Sequence, residues 1–291
     1  MKIGFFSTEG WEEEIVSKRL GGHEVTFSKD KVSKDTAPEK NDFDAIAIFI
    51  DSEIGKDELK YFPNLKFITT RSTGFDHIDA KAAKKAGVLV SSVPGYGENT
   101  VAEFAFGLIL SLARKIYPAI DRVKETGSFS LDGLRGFELK GKTIGIIGTG
   151  RIGKQVGEIA NGFEMKILAT DPYEDEEFKK KLNVEYVKLE ELLNRSDVIT
   201  LHCPYNKDTH HLINKNNVNE IKKGAIFVNT SRGGVVETAA LVGALKDKIL
   251  SGAGLDVLEE EGEIKDELNF LTSAHPQEEE LKNVLYNHVL M

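Results

Sequence analysis

The chain has 291 residues, 40% of them hydrophobic and 29% charged, a globular composition that excludes a fibrous or wholly disordered protein and allows two domains. Its 38 basic and 47 acidic side chains leave a formal charge of −9, with no basic footprint for nucleic acid or for an anionic lipid surface. Cys203 is the one cysteine, which excludes an intramolecular disulfide and a cysteine-rich metal site.

Met1 to Gly10 carries one Lys and a very short apolar run, too little for a secretory signal. The longest apolar stretch, Phe104 to Leu110, is too short to span a bilayer. A soluble, cytoplasmic protein is expected. In the first third, β-branched and apolar runs predict strands at Lys2–Phe6, Glu24–Phe27, Ala45–Ile50, Leu65–Thr69 and Val88–Ser91, with helices at Trp11–Leu20 and Ala80–Ala86. Continuous apolar strands separated by helices predict a parallel sheet covered on both faces. Thr100-Val101-Ala102-Glu103 fits a capping box, and the helix to about Lys115 is apolar on most sides, so it is expected to be buried between larger units. Asp121 to Lys140 reads as a polar connecting arm. Alternation resumes with strands at Thr143–Ile147, Lys166–Thr170, Val184–Val187, Asp197–Leu201, Ala225–Asn229 and Gly252–Val257, and helices starting near Arg151, Asp175, Lys215 and Glu237. The fold class expected is α/β, with two doubly wound parallel-sheet domains of the Rossmann or flavodoxin-like kind and a cleft between them. The division falls near residue 100: residues 1–99, then 100–291 with a linker helix over 100–115.

Gly148-Thr149-Gly150-Arg151-Ile152-Gly153 is a GxGxxG placed between a predicted strand and a predicted helix, and Asp171 closes the next strand 18 residues after Gly153. That context predicts a dinucleotide site. Gly148 permits the tight turn, Gly150 lets the backbone approach a pyrophosphate, and Gly153 allows close helix–strand packing; the amides at the helix start, Arg151 and Ile152 included, hold the phosphate charge. Asp171 would accept from ribose hydroxyls and repel a 2′-phosphate, and Pro172-Tyr173-Glu174 offers no Arg, so NAD is expected rather than NADP.

Three further segments, Arg71-Ser72-Thr73-Gly74-Phe75-Asp76-His77-Ile78-Asp79, Asn229-Thr230-Ser231-Arg232-Gly233-Gly234 and Gly254-Leu255-Asp256-Val257-Leu258-Glu259-Glu260-Glu261, accompany the dinucleotide motif. Together they closely resemble the D-isomer-specific 2-hydroxyacid dehydrogenases, in particular the D-lactate dehydrogenase branch, over the whole chain. The resemblance implies an NAD-dependent oxidoreductase that moves a hydride between NADH and a small 2-keto acid to give the D-2-hydroxy acid. It assigns residues 1–99 to the substrate and 100–291 to NAD. It implies that Arg232 grips the keto-acid carboxylate and polarises the carbonyl, chemistry suited to a planar guanidinium. Glu261, five residues after Asp256, matches the glutamate that raises the pKa of a catalytic histidine; its choice over Glu259, Glu260 and Glu263 rests on spacing alone, and such acidic runs are most often solvated. Asp256 resembles the acid near the nicotinamide carboxamide. Ser72, Thr73 and Gly74 match a loop whose amides hold the substrate carboxylate, and Tyr96 matches an aromatic hydroxyl that reaches substrate, with interdomain packing as its equal alternative. His202-Cys203-Pro204 and Thr230 match cofactor contacts. His210 and His211 read as a helix-entry feature and His77 as structural, and no metal is expected. A homodimer through the linker helix and the arm after it is implied as well.

The sequence departs from the family at its end. The family's catalytic histidine follows Thr-Pro after a short strand; Asn287-His288-Val289-Leu290-Met291 resembles that strand, and no Thr-Pro-His occurs. A fragment of a longer enzyme is the expectation, with slow turnover and weak NAD binding by the chain as written. The alternative function is an NAD-binding, non-catalytic interaction protein of the same fold, corepressor-like, or an inactive fragment.

Overall fold

In the computed structural model, residues 1–33 and 41–259 are described. The chain divides into two compact units, Met1–Gly97 and Glu98–Met291.

The first unit runs β1 (Lys2–Phe5), α1 (Gly10–Arg19), β2 (Glu24–Phe27), β3 (Ala45–Ile48), β4 (Phe67–Thr70), α2 (Ala80–Lys85) and β5 (Leu89–Ser91). All pairings are parallel, in the order β2-β1-β3-β4-β5, the flavodoxin-like arrangement. The central strand β3 is buried along its whole length, as its unbroken apolar run requires. Phe6, Phe43 and Phe62 fill the core beside it, Phe6 meeting the other two edge-on at 6.2 and 6.0 Å between ring centres. Helix α2 starts where Asp79 accepts from the amides of Lys81 and Ala82.

The second unit runs α3 (Glu98–Ala113), α4 (Ile116–Thr126), β6 (Thr143–Ile147), α5 (Arg151–Gly162), β7 (Lys166–Thr170), α6 (Glu176–Leu182), β8 (Glu185–Tyr186), α7 (Leu189–Arg195), β9 (Val198–Leu201), β10 (Ala225–Asn229), α8 (Thr238–Lys246) and β11 (Leu250–Leu255). Its sheet is parallel throughout, ordered β11-β10-β9-β6-β7-β8. This is the doubly wound order, whose direction of winding switches between β6 and β9. One face carries Ile144, Ile146 and Val228 under Ala105, Phe106, Ile109 and Val156 of α3 and α5. The other carries Ile147, Leu201 and Phe227 under Leu192, Leu193 and Leu241 of α7 and α8. The expected α/β class with two doubly wound parallel sheets is what the structure has.

Several local expectations need correction. Helix α3 begins at Glu98, not behind a Thr100 cap: Asn99 Nδ2 donates to Glu103 Oε1 at 2.6 Å, an i,i+4 pair that takes the glutamate away from a capping box. The start of the expected Asp121–Lys140 arm is instead the end of a helix, α4, whose apolar residues Ile116, Ile120 and Val123 share one exposed face; Gly127 ends it with φ +65° and its amide on the Val123 carbonyl. No α-helix forms at Lys215. Asn214 and Asn217 side chains take the amides of Asn216 and Asn214, so only a single 3₁₀ turn, Val218–Glu220, remains. Helix α7 was not foreseen, and β11 starts two residues earlier than expected.

Gly145 in β6 is packed to its limit: a Cβ there would lie 2.3 Å from Ser196 Oγ and 2.5 Å from Leu192 Cδ2. Gly145→Ala is expected to cost about 1–3 kcal/mol through overpacking. Gly243→Ala on α8, where nothing lies within 4 Å, should be neutral or stabilising by up to about 1 kcal/mol. Urea unfolding of the two variants beside the parent checks both signs.

Candidate functional site

The dinucleotide residues meet at the switch between β6 and β9. The chain leaves β6 at Gly148 with φ +94°, a left-handed turn that glycine adopts without strain, and a Cβ there would strike Cys203 N at 2.7 Å. The Gly148 turn therefore rests directly on the backbone leaving β9 at His202-Cys203-Pro204. Gly153 packs back on the same turn, its absent Cβ falling 2.0 Å from the Gly148 carbonyl oxygen. Gly150 differs: it faces open space, with nothing within 4 Å. It occupies the cap position of α5 without a side-chain cap, so the first-turn amides from Arg151 onward are offered to an external anion.

Asp171, at the end of β7, accepts from Thr149 N at 2.7 Å and Tyr173 N at 2.8 Å. Both bonds fix the carboxylate beside the glycine turn, and its remaining lone pairs suit ribose hydroxyls. A further strut was not foreseen: Tyr186 on β8 donates its hydroxyl to Thr149 Oγ1 at 3.0 Å and accepts from Asp175 N, while Lys154 of α5 pairs with Asp175.

His202 bonds through Nε2 to Thr200 Oγ1 at 2.8 Å. Burial pushes its imidazole down to about 3, so it is neutral at physiological pH, and its buried Nδ1 has no partner among the described residues. Burial likewise pushes the Cys203 thiol up to about 11. Thr230 Oγ1, after β10, is a second buried polar atom without a partner among the described residues. Open space at Gly150, uncapped amides and two orphaned polar atoms along one sheet edge fit a polar dinucleotide.

Beyond Thr230, Asn229 Oδ1 accepts from Ser231 N and Oγ and Asn229 Nδ2 donates to the Arg232 carbonyl at 3.0 Å. Arg232 Nη1 bonds the Ser231 carbonyl at 2.7 Å. The Asp256 amide donates to the Asn229 carbonyl at 3.0 Å, and burial raises its carboxyl above the ordinary range. Glu261, and His288 with it, lie outside the described residues.

In the first unit, Ser72, Thr73 and Gly74 form one loop after β4. Val93 N donates to the Ser72 carbonyl and Thr73 Oγ1 to the Val93 carbonyl. The Ser72 hydroxyl donates to the Gly74 carbonyl at 2.7 Å, so it shapes the loop, while no acceptor among the described residues takes the amides of Thr73 and Gly74. Tyr96 is exposed. Arg71, at the start of the quoted motif, was not singled out: it donates to the carbonyls of Phe6 and Ser7 at 3.0 and 2.7 Å and pairs with Glu12, tying the ends of β1 and β4 together. His77 bonds Thr70 Oγ1. Among the described residues no cluster of three or more His, Cys, Asp or Glu is arranged for a metal ion, and no helix is long and apolar enough to cross a membrane.

Residues 106–288 match the NAD-binding domain of the D-isomer specific 2-hydroxyacid dehydrogenases. A 2-hydroxyacid dehydrogenase A of Aspergillus oryzae is 41% identical over 269 residues, covering 90% of this chain and 77% of that one. A D-lactate dehydrogenase of Escherichia coli is 38% identical over 269 residues, covering 91% and 81%. Among solved structures, D-lactate dehydrogenase from Aquifex aeolicus complexed with NAD and lactic acid superposes with a TM-score of 0.87 at 37% identity, over 97% of this chain and 84% of that one. The chain belongs to the D-isomer-specific 2-hydroxyacid dehydrogenase family, NAD-dependent enzymes that act on small 2-hydroxy and 2-keto acids.

Two outcomes test this site. Asp171→Ala should weaken NADH binding and narrow the gap to NADPH, since it removes the ribose acceptor and the charge that repels a 2′-phosphate; fluorescence titration with both cofactors reads it, and an unchanged ratio contradicts the role. Cys203, with its raised pKa, should react with iodoacetamide at pH 8 about 10²-fold more slowly than a free cysteine, because the thiolate is the nucleophile. Mass spectrometry of the alkylation time course measures that rate.

Proposed function

We propose that the chain reduces a small 2-keto acid, pyruvate first among the candidates, to its D-2-hydroxy acid. Residues 1–99 take the substrate role and residues 100–291 the NAD role. NADH supplies the hydride that adds to the carbonyl carbon, and a proton completes the alcohol at oxygen. The observation that carries the reading is Arg232, held at the carboxyl end of β10 by its own carbonyl on Asn229 Nδ2, next to the orphaned Thr230 hydroxyl. Its guanidinium would pair with the substrate carboxylate and oppose the negative charge that grows on the carbonyl oxygen. The amides of Thr73 and Gly74 would donate to the substrate carboxylate, and Tyr96 would reach the substrate through its hydroxyl. Gly148, Gly150, Arg151, Ile152 and Gly153 would hold the pyrophosphate, Asp171 the adenosine ribose, and His202, Cys203, Pro204, Thr230 and Asp256 the nicotinamide half. Asp256, with a carboxyl raised by burial, is suited to hydrogen-bond a carboxamide. Glu261 would raise the pKa of the acid that delivers the proton. The preference for a lactate-type substrate is supported by the relatives named D-lactate dehydrogenase.

The same reading includes a cytoplasmic homodimer. Ile116, Tyr117, Ile120 and Val123 on α4, and Phe129 and Leu131 beyond it, are exposed apolar side chains, and burying them between two copies would remove them from water.

Steady-state oxidation of NADH in the presence of pyruvate, glyoxylate or phenylpyruvate tests the activity, with slow turnover expected of the chain as written, and no turnover with any of them by a version carried through Thr-Pro-His rejects it. Arg232→Lys should lower kcat/KM for the keto acid about 10²- to 10³-fold with NADH affinity nearly unchanged. Parallel loss of NADH binding would instead make Arg232 a fold residue.

A further inference from the structure

Glu259 stands in an acidic run of the kind that is most often solvated surface, yet its carboxylate makes three bonds to other parts of the fold. Oε2 accepts from Thr238 N at 3.1 Å and Thr238 Oγ1 at 2.8 Å, and Oε1 meets His211 Nε2 at 2.5 Å. Burial alone would raise this carboxyl, but the bonds from His211 and Thr238 outweigh it and hold it below the ordinary carboxylate range. Thr238 opens α8, so the negative charge also sits at the positive end of a helix.

What this carboxylate holds is the loop of Arg232. A Cβ on Gly233 would lie 2.1 Å from the Leu258 carbonyl carbon and oxygen and 2.4 Å from Glu259 N. The peptide joining Leu258 to Glu259 therefore lies flat against Gly233. On the other side of the loop, a Cβ on Gly234 would meet the Tyr205 ring at 2.9 Å. Tyr205 in turn bonds His210 Nδ1 at 3.1 Å, and His210 stacks on His211 at 3.9 Å between ring centres. His211 has φ +47°, a left-handed backbone that a non-glycine residue keeps only when its surroundings impose it; its amide donates to the Gly234 carbonyl at 2.9 Å, and its own carbonyl accepts from Asn214 Nδ2 at 2.7 Å. Arg232-Gly233-Gly234 is thus gripped between the strand-end segment 256–259 and the Tyr205–His211 loop, and the Glu259 carboxylate is the clasp that joins the two jaws.

We infer that Glu259 is a positioning residue for the keto-acid site: through His211 and Thr238 it fixes the segment that carries Asp256 and presses on Gly233, and so sets where the Arg232 guanidinium stands. The inference rests on the reading of Arg232 as the substrate-carboxylate residue. The effect of Glu259 falls mainly on the Arg232 loop, because the Gly148–Gly153 cradle and Asp171, the larger part of the cofactor site, take their support from Thr149, Tyr186 and Cys203 instead. A displaced guanidinium loses much of its value for a small anion, since errors of about 1 Å in such a site cost up to about 10²-fold.

The test compares NADH affinity with the affinity of the NADH complex for oxamate, the amide isostere of pyruvate, both read by nicotinamide fluorescence, and follows hydrogen exchange of the amides at 232–238. Glu259→Ala should weaken oxamate about tenfold to 10²-fold, leave NADH within about twofold, and speed exchange at 232–238 about tenfold with the β6 and β7 amides unaffected. Glu259→Gln keeps acceptors for Thr238 and can donate to a neutral His211, so it should recover most of the oxamate affinity; a role in stability alone would shift unfolding without splitting the two affinities. If Glu259→Ala does not fold, Thr238→Val, which removes one of the three bonds, should move oxamate affinity and local exchange the same way by less. Unchanged oxamate affinity and unchanged exchange in Glu259→Ala, or equal loss of NADH and oxamate, overturns the inference. Arg232→Ala in parallel separates the two claims. If it leaves oxamate affinity intact, the reading of Arg232 fails; if it abolishes oxamate binding while Glu259→Ala changes neither affinity nor exchange, only the clasp fails.

Discussion

The closest constraint in the second unit is the backbone-to-backbone contact where β6 ends. Gly148 turns on the peptide between His202 and Cys203 with no room for a Cβ, and Gly153 closes on the Gly148 carbonyl from the other side. These two contacts set the distance between the ends of β6 and β9 and the direction in which α5 departs. They place the uncapped start of α5 at the switch in winding, where a parallel sheet opens a crevice for ligands. One added methyl at either glycine would push the helix start away from the strand end. The pyrophosphate and ribose groups assigned to the cofactor site hang from this turn: Asp171 reaches it through Thr149 N, and Tyr186 braces it through Thr149 Oγ1.

Charge is arranged with the same economy. In a chain with nine more acidic than basic side chains, an anionic substrate and a dinucleotide need local sources of positive potential. In the proposed site, oriented amides at the α5 start and in the Thr73–Gly74 loop would supply it without added lysines, and Arg232 would supply the one formal cation assigned to the substrate. The acids nearby are restrained in different ways. Asp171 is tied to two backbone amides, Asp256 has its carboxyl raised by burial, and Glu259 is spent on Thr238 and His211. A neutral His202, driven down by burial, adds polarity to the edge without adding charge.

The sequence carried the fold class because parallel strands buried on both faces show as unbroken apolar runs, as β3, β9 and β10 do. It carried the glycine turn between β6 and α5 because glycines at fixed spacing have a local backbone reason that context can check. Elements whose stability comes from competition or from distance were harder to read. The Lys215 segment has helical composition, but Asn214 and Asn217 bond their own backbone first. Helix α4 turns its apolar side outward, so it lacks the buried stripe that marks a helix within a core. Arg71 stood in plain view within a motif, yet its partners, the Phe6 and Ser7 carbonyls, lie some 64 residues away along the chain.

Glu259 shows the same limit at its sharpest. By composition it is one of four acids within five residues, and a solvated run is the sound default for such a stretch. What distinguishes it is the pair of partners that the doubly wound topology delivers: Thr238 because α8 starts at the carboxyl edge after β10, and His211 because the loop after β9 returns to the same edge with a left-handed kink. Two crossovers must be complete before either partner is within reach. A carboxylate that satisfies a helix start and an imidazole at once is held far more tightly than one that faces water, so the position of the chain on either side of it, Asp256 before and the Gly233 contact beneath, is determined by tertiary structure rather than by the local run of glutamates.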